Sequence, residues 1–167
     1  GVMPPVAYNP TTTTLVTPTT WSAWPIFTAG AYHLNRLVLG GISTAPSKII
    51  LCGADNLFDS TGVDSFSANI DAGDGDHVIG FSKSFFGSLY IFKGPQFGSV
   101  HQLSGATPSV FVKAKITNGA PCVHHKTIIT TPTDIYWMSR DGIHSLQTTI
   151  KFGDVEAAYL SLPIARF

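Results

Sequence analysis

Short apolar runs separated by small polar residues extend along the chain from Trp24 onward. Val, Ile, Phe, Tyr and Thr dominate these runs, and Gly, Pro, Asp, Asn and Ser recur between them about every 8–12 residues. This spacing is typical of an all-β protein, because β-branched and aromatic side chains pack well on a pleated surface. The predicted strands cover residues 36–39, 48–52, 78–82, 89–92, 100–103, 110–116, 127–129, 135–138 and 143–146. A helical turn is expected only in "GDVEAAYL", where Asp154 is a candidate N-cap.

Three of the predicted hairpins follow one pattern. They read "NRLVLGGISTAPSKIILCG" from Asn35, "SLYIFKGPQFGSVHQLSG" from Ser88 and "DIYWMSRDGIHSLQ" from Asp134. Each begins with a small polar residue, which is followed by an apolar strand, a polar turn and a second, alternating strand. A self-similar period of about 40–50 residues is the signature of propeller blades.

The first strands of these hairpins are apolar at successive positions, as in "LVL", "LYIF" and "IYWM". Because neighbouring residues of a strand face opposite sides of the sheet, both faces must be covered. Packing of blades face to face covers both. We therefore expect antiparallel sheets that resemble propeller blades, forming an incomplete propeller or part of a larger one. The alternative is a β-sandwich in which the similarity of the hairpins is accidental.

Three repeats are fewer than the four blades that propellers usually need. A fourth sheet could come from the N-terminal arm together with residues 57–70, or the missing blades could lie on other chain segments. The second alternative is favoured because the chain begins with Gly1 instead of Met. Residues 1–23 are rich in Thr and Pro and are interpreted as an extended arm or linker, and residues 24–167 as the propeller-like domain.

Composition adds that the chain carries little charge. It is 44% hydrophobic, only 12% charged, and its formal net charge is zero at pH 7. A chain that wraps nucleic acid would normally carry an excess of Lys and Arg, and this chain has none. A chain this rich in apolar residues and this poor in charge is expected to bury part of its surface against partners in a stable assembly. No apolar run reaches the ~18–20 residues of a membrane span, so no stable membrane insertion is expected.

Candidate chemistry is sparse. Asp71, Asp74 and Asp76 lie close together in "IDAGDGDHVIG" and are cation candidates, because Ca²⁺ prefers several carboxylate oxygens in a flexible loop. The alternative is a tight turn in which Gly permits positive φ and Asp binds its own backbone. No motif marks a nucleophile, so no catalytic, cofactor-binding or metal-binding residues are assigned, and no cofactor is expected.

Two further pairs of residues carry side chains of the type that binds metal ions. His124 and His125 are adjacent in "CVHHKT", and on a strand they would face opposite sides and could not share one metal. Cys52 and Cys122 show no spacing typical of metal ligands and are expected to be reduced, buried thiols.

Asp141 and Gly142 lie between two apolar runs in "MSRDGIHSL". Asp-Gly is a strong hairpin signal, so Asp141 is interpreted as a turn residue and not as a ligand.

The order of several motifs resembles a family of β-propeller proteins from tailed bacteriophages. The motifs are "RLVLGG" and "PSKIILCG", then "DAGDGDHVIGF", "GSLYIFKG" and "VHQLSG", then "PTDIYWMSRDGIHSL" and "KFGDVEAAYLSLPI". The resemblance covers about residues 34–165. It does not extend to the N-terminal arm or to further blades.

This resemblance implies a virion structural protein, which acts by assembly and not as an enzyme. Such proteins form the nozzle or hub ring of short tails, through which the genome is retained and ejected. The implied partners are other copies in a homo-oligomeric ring, such as a hexamer, and the neighbouring adaptor, portal and fibre proteins. Viral DNA would pass transiently, without sequence-specific binding. The implied location is the virion tail, which is assembled in the host bacterial cytoplasm.

Two functions from other classes remain open. The first is a β module that binds glycan or protein at a host surface, which would need exposed aromatic side chains such as Trp21, Trp24 or Phe97 for stacking. The second is a propeller enzyme of the glycosidase type, which would need two carboxylates about 5–9.5 Å apart in a central pocket.

Overall fold

A computed structural model describes residues 7–9, 14–16, 26–56, 59–147 and 150. The strands in this part of the chain are β1 (Ala7–Asn9), β2 (Thr14–Val16), β3 (Ala29–His33), β4 (Arg36–Gly40), β5 (Lys48–Leu51), β6 (Phe66–Asn69), β7 (His77–Phe81), β8 (Leu89–Gly94), β9 (Ser99–Ser104), β10 (Val112–Asn118), β11 (Ile129–Thr130), β12 (Ile135–Met138) and β13 (Ile143–Ser145). Single 3-10 turns cover Pro108–Val110 and His125–Thr127.

Eleven of these strands form three antiparallel sheets in which neighbours in sequence are neighbours in space. The first sheet has the order β3-β4-β5-β6, the middle sheet β7-β8-β9-β10 and the third sheet β11-β12-β13. β1 and β2 pair separately, within the predicted arm. The all-β class with antiparallel, blade-like sheets is confirmed. The described residues form no closed barrel or complete propeller.

The sequence repeat corresponds to the second and third strand of each sheet. β4-β5, β8-β9 and β12-β13 are the three hairpins. The small polar residue that begins each repeat directly precedes the second strand of its sheet. Ser88 Oγ accepts a hydrogen bond of 2.8 Å from Gln102, and the Asp134 carboxylate accepts the backbone N–H groups of Ile135 at 2.7 Å and Gln147 at 3.0 Å.

Every residue of β8 is buried, because both faces of the middle sheet are covered. Leu89 and Ile91 project to one side, where they join a cluster with side chains of the first sheet such as Val38. Tyr90 and Phe92 project to the other side, where they join a cluster with side chains of the third sheet. The rings of Phe92 and Trp137 are 5.2 Å apart in this second cluster. The three sheets therefore stack face to face, as propeller blades do.

Close approach between sheets depends on small residues. Gly40 lies in the first sheet, where a Cβ atom would come within 2.6 Å of the Phe81 ring of the middle sheet. Gly80 lies in the middle sheet, where a Cβ atom would come within 2.8 Å of His125 Cβ. Substitution at either position would push neighbouring sheets apart.

The first strands of the three sheets lie side by side. Residues of β3, of β7 with the two residues after it, and of β11 with the residue before it line one open groove of about 650 Å³. This arrangement is the one expected around a propeller axis, where the first strands of successive blades are innermost. The lining consists of Gly30, Ala31, Tyr32, Phe81, Ser82, Lys83, Ile128, Ile129 and Thr130.

The structure adds four strands that the sequence pattern did not predict, β1 and β2 within the arm and β3 and β6 in the first sheet. β6 lies within the segment 57–70 that was considered as part of a fourth sheet. It pairs instead with β5 and completes the first sheet, so that this alternative is wrong for residues 66–69. The predicted helical turn at "GDVEAAYL" lies outside the described residues. No helix among the described residues is long and apolar enough to cross a membrane.

Replacement of Trp137 by Ala tests the packing between the middle and third sheets. Trp137 is 1% exposed and its Nε1 donates to Ala120 O at 3.3 Å. Removing the ring leaves a cavity, so we expect the free energy of unfolding to fall by about 3–5 kcal/mol. Urea unfolding followed by circular dichroism measures this change. Phe97→Ala is the control, because Phe97 is 68% exposed. Equal effects of the two substitutions would contradict the packing described.

Candidate functional site

The densest group of titratable side chains lies where the loop 70–76 joins the first and middle sheets. This polar cluster comprises Ser47, Asp71, Asp74, Asp76, Lys93, Ser99, His101 and Lys115. The loop turns sharply, with positive φ at Asp71, Gly73 and Gly75. Glycine adopts this conformation without steric cost, which explains the glycine spacing in "DAGDGD".

Lys93 is the centre of the polar cluster. It lies near the end of β8 and its side chain is fully buried. Its Nζ donates to Ile70 O at 2.7 Å, to Asp71 O at 2.9 Å and to both oxygens of Asp74 at 2.7 Å. A buried ammonium is costly unless it is paired and hydrogen-bonded, and the loop supplies both forms of compensation. The sequence signal for this role was a lone Lys in the apolar run "LYIFKG".

Asp76 binds a different part of the molecule. Its carboxylate accepts three consecutive backbone N–H groups, from Gln96 at 2.8 Å, Phe97 at 2.9 Å and Gly98 at 2.6 Å. These residues form the turn between β8 and β9. Asp76 therefore ties the loop to this turn, and its own backbone O accepts the Ser47 hydroxyl at 3.1 Å.

Asp71 faces a third set of groups. Its carboxylate pairs with Lys115 and lies 3.6 Å from His101 Nε2. The hydrogen bond from Lys115 lowers the pKa of Asp71 below its ordinary value. Burial lowers the pKa of His101 to about 4, against the weaker opposing effect of Asp71, so His101 is neutral at pH 7.

The three cation candidates thus have three separate protein partners. Asp71 faces Lys115, Asp74 faces Lys93, and Asp76 faces backbone amides. Within the described residues no group of three or more His, Cys, Asp and Glu side chains could hold a metal ion. The arrangement favours the tight turn over a cation site.

Ser99, His101 and Asp71 bring together the residue types of a catalytic triad. Ser99 Oγ lies 2.9 Å from His101 Nε2, but Asp71 approaches the same nitrogen. In a triad the acid must bind Nδ1, so that Nε2 is available to take the serine proton. Ser99 is 3% exposed and His101 is fully buried, so that a substrate could not reach the hydroxyl. This geometry does not support nucleophilic catalysis.

A second buried cation, Arg36, lies at the start of β4. Arg36 is 3% exposed, donates to Cys52 O at 3.1 Å and pairs with Asp64 Oδ1 at 2.7 Å. Its guanidinium also lies 5.9 Å from the centre of the Phe111 ring. The hydrogen bond from Arg36 lowers the pKa of Asp64. These contacts tie the long connection between β5 and β6 to the start of β4.

The Ser-Arg-Asp-Gly turn is organised by Ser139. Its hydroxyl accepts the backbone N–H groups of Asp141 at 3.1 Å and Gly142 at 3.2 Å, and it lies 2.9 Å from His144 Nε2. Asp141 is exposed, and it joins this set of bonds through its backbone N–H and not through its carboxylate. The turn joins β12 to β13, which agrees with the interpretation of Asp141 as a turn residue.

His124 and His125 depart from the expected geometry. They were expected to face opposite sides of a strand, but His125 begins a 3-10 turn, and the two rings stack 4.4 Å apart. His124 Nδ1 accepts the backbone N–H of Lys126 at 3.1 Å, which fixes this turn. Both histidines are exposed.

Cys52 and Cys122 are buried free thiols that form no disulfide, and burial raises the pKa of Cys52 to about 11.

The groove lined by β3, β7 and β11 is an open concave surface. Among the described residues that line it, Lys83 is the only charged one and none is Asp or Glu. The described lining therefore lacks the paired carboxylates of a glycosidase. Comparison of the chain with protein-family models, with curated proteins and with solved structures finds no match.

Substitution of Lys93 by Met tests the buried ion pair. The variant leaves Asp74 and two backbone carbonyls without their donor, so we expect a loss of about 3–5 kcal/mol in the free energy of unfolding. Lys126→Met is the matched control, since Lys126 is exposed. Urea titration at pH 7 measures both variants. A loss at Lys93 no larger than that at Lys126 would show that the polar cluster does not stabilise the fold.

The lowered pKa of His101 predicts that the protein loses stability in acid. Its pKa is about 4 in the folded chain and 6.5 ordinarily, so that the unfolded chain binds more protons between these values. Stability is therefore full above pH 6.5 and falls as the pH decreases to about 4, by roughly 3 kcal/mol at most from this group. Asp71, Lys93, Lys113 and Lys115 contribute the surrounding charges.

The measurement is the urea midpoint at several values between pH 7 and pH 4.5. His101→Gln should flatten the dependence, whereas His124→Gln, at an exposed position, should leave it unchanged. Parallel curves for His101→Gln and the unmodified protein would refute the assignment.

Proposed function

We propose that this chain is a structural protein of a bacteriophage tail, a component of a nozzle or hub ring that acts by assembly instead of catalysis. The observation that carries the proposal is the stack of three blade-like sheets, which has at one end an apolar face that no described residues cover. The order of motifs that resembles tail propeller proteins supports the same conclusion.

The open face belongs to the third sheet. Trp137 and Ile135 project toward the middle sheet, so Tyr136 and Met138 project away from it. Ile129 pairs with Tyr136 and shares that outer face. Ile129 is 58% exposed and Met138 is 45% exposed. In a propeller the equivalent face is covered by the next blade, so another subunit could cover it in an assembled ring.

The chemistry of the described residues agrees with an assembly role. The polar cluster uses its carboxylates and its lysine to hold the fold together, and the arrangement of Ser99, His101 and Asp71 is not that of a triad. Transient passage of DNA without specific binding fits a groove with a single basic side chain, because each phosphate contact adds salt-dependent affinity.

One observation favours the second candidate, a module that binds glycan or protein at a host surface. Phe97 is 68% exposed in the turn after β8, where its ring is available for stacking. Trp21 and Trp24, the other aromatic candidates, lie outside the described residues. A glycan-binding monomer that loses binding in Phe97→Ala would favour this alternative over the tail protein.

Native mass spectrometry with negative-stain imaging tests the assembly proposal. We expect closed rings of several copies, and we expect Met138→Lys to shift the distribution toward monomers because it places a charge in the contact. Val63→Lys is the matched control, since Val63 is fully exposed outside the stack. A protein that stays monomeric at all concentrations, or rings that are unaffected by Met138→Lys but disrupted by Val63→Lys, would contradict the proposal.

A further inference from the structure

The groove contains a strand edge with which no described strand pairs. Among the described strands, β3 is terminal in the first sheet and pairs only with β4. The Leu37 carbonyl accepts the N–H of Cys52 on the β5 side, so the backbone groups of Leu37 face β5. The direction in which the backbone N–H and C=O groups point alternates from one residue of a strand to the next. The backbone groups of Val38 therefore point toward β3, where they face those of its partner Ala31. The N–H and C=O groups of Gly30 and Tyr32 therefore point away from β4, and no described strand pairs with them.

This edge is accessible and has few side-chain obstacles. Gly30 is exposed, and a Cβ atom built on it would meet only Val38 O, at 3.6 Å. Tyr32 is 59% exposed, and its hydroxyl is turned toward Asn35 at 3.3 Å. Proteins usually protect a free edge with Pro, Lys or a covering segment. At β3 the small residues leave the backbone open to an incoming chain.

A hydrogen bond joins the other two walls of the groove. Lys83 N donates to Thr130 Oγ1 at 3.1 Å, which links the end of β7 to β11. These walls flank the free edge of β3, and the groove of about 650 Å³ between them is the space that an added strand would occupy. Strand addition of this kind gains affinity from main-chain hydrogen bonds.

The charge of the groove selects among possible peptides. Lys83 is exposed and is the single charged side chain among the described lining residues, none of which carries a carboxylate. A peptide with an acidic residue would complement this ammonium, and a basic peptide would be repelled. Ile128 and Ile129 supply apolar contacts for alternate side chains of the peptide.

We propose that the groove binds an extended acidic peptide segment of another protein, which adds to the free edge of β3 as a further strand. The groove is the one that the proposed function associates with the passage of DNA, but peptide binding does not rest on that proposal. A segment of this kind would dock on β3 whether the chain acts in a ring or as a binding module.

Fluorescence polarisation with a labelled heptapeptide tests the site. The probe alternates Val and Thr and ends in Asp, and two further probes replace the Asp by Asn or methylate every second backbone nitrogen. We expect saturable binding of the acidic probe, several-fold weaker binding of the Asn probe, and at least a tenfold loss on N-methylation. Because the last comparison uses the unmodified protein, it does not depend on the folding of any variant.

Protein variants locate the contact. Gly30→Pro removes the outward N–H of β3 and should weaken binding at least tenfold, whereas Gly30→Ala keeps that N–H and should bind normally. Lys83→Gln should abolish the preference for the acidic probe, and Lys126→Gln should not. The proposal is overturned by the absence of saturable binding, by equal binding of the N-methylated probe, or by normal binding to Gly30→Pro. It is also overturned if Gly30→Pro instead disrupts a dimer formed through this edge.

Discussion

The structure depends on the burial of both faces of the middle sheet. All six residues of β8 are buried, and their side chains alternate between the first and third sheets. A sheet that faced water on one side would expose either Leu89 and Ile91 or Tyr90 and Phe92. The stacking of three antiparallel sheets removes both pairs from water. Each Å² of apolar surface buried in this way stabilises the fold by roughly 25 cal/mol. The same requirement explains why each sheet must have a neighbour.

This requirement has an electrostatic consequence at the end of β8. Lys93 continues a strand that is buried on both faces, so its ammonium must find its partners inside the protein. The loop 70–76 provides them, and the carboxylates of Asp74 and Asp76 bind different neighbours in doing so. Arg36 and Asp134 are likewise buried and bonded within the fold. Four charged side chains among the described residues, Arg36, Asp76, Lys93 and Asp134, are therefore internal and have their partners within the fold.

The sequence was most informative where pattern and structure share a period. The repeat located the hairpins β4-β5, β8-β9 and β12-β13, because their apolar runs reflect burial on two faces. It did not reveal β3, whose sequence "AGAYH" is made mostly of small residues at an open edge, or β6, whose sequence "FSAN" is half polar. Neither strand carries the apolar run that signals a buried position.

The polar cluster could be predicted only in part. The spacing of Asp71, Asp74 and Asp76 indicated a turn, because glycine and aspartate act locally. Their partners Lys93, His101 and Lys115 come from β8, β9 and β10, so they depend on strand register, which local pattern does not specify. The expected orientation of His124 and His125 was wrong because a 3-10 turn replaced the assumed strand.

Native-state hydrogen exchange tests the central claim most directly. If the middle sheet is covered on both faces, the backbone amides of β8 should exchange only through global unfolding, more slowly than those of the terminal strands β3 and β11. Exchange of the β8 amides at the rate of these edge strands would show that the middle sheet is open to solvent, and would contradict the stacked arrangement.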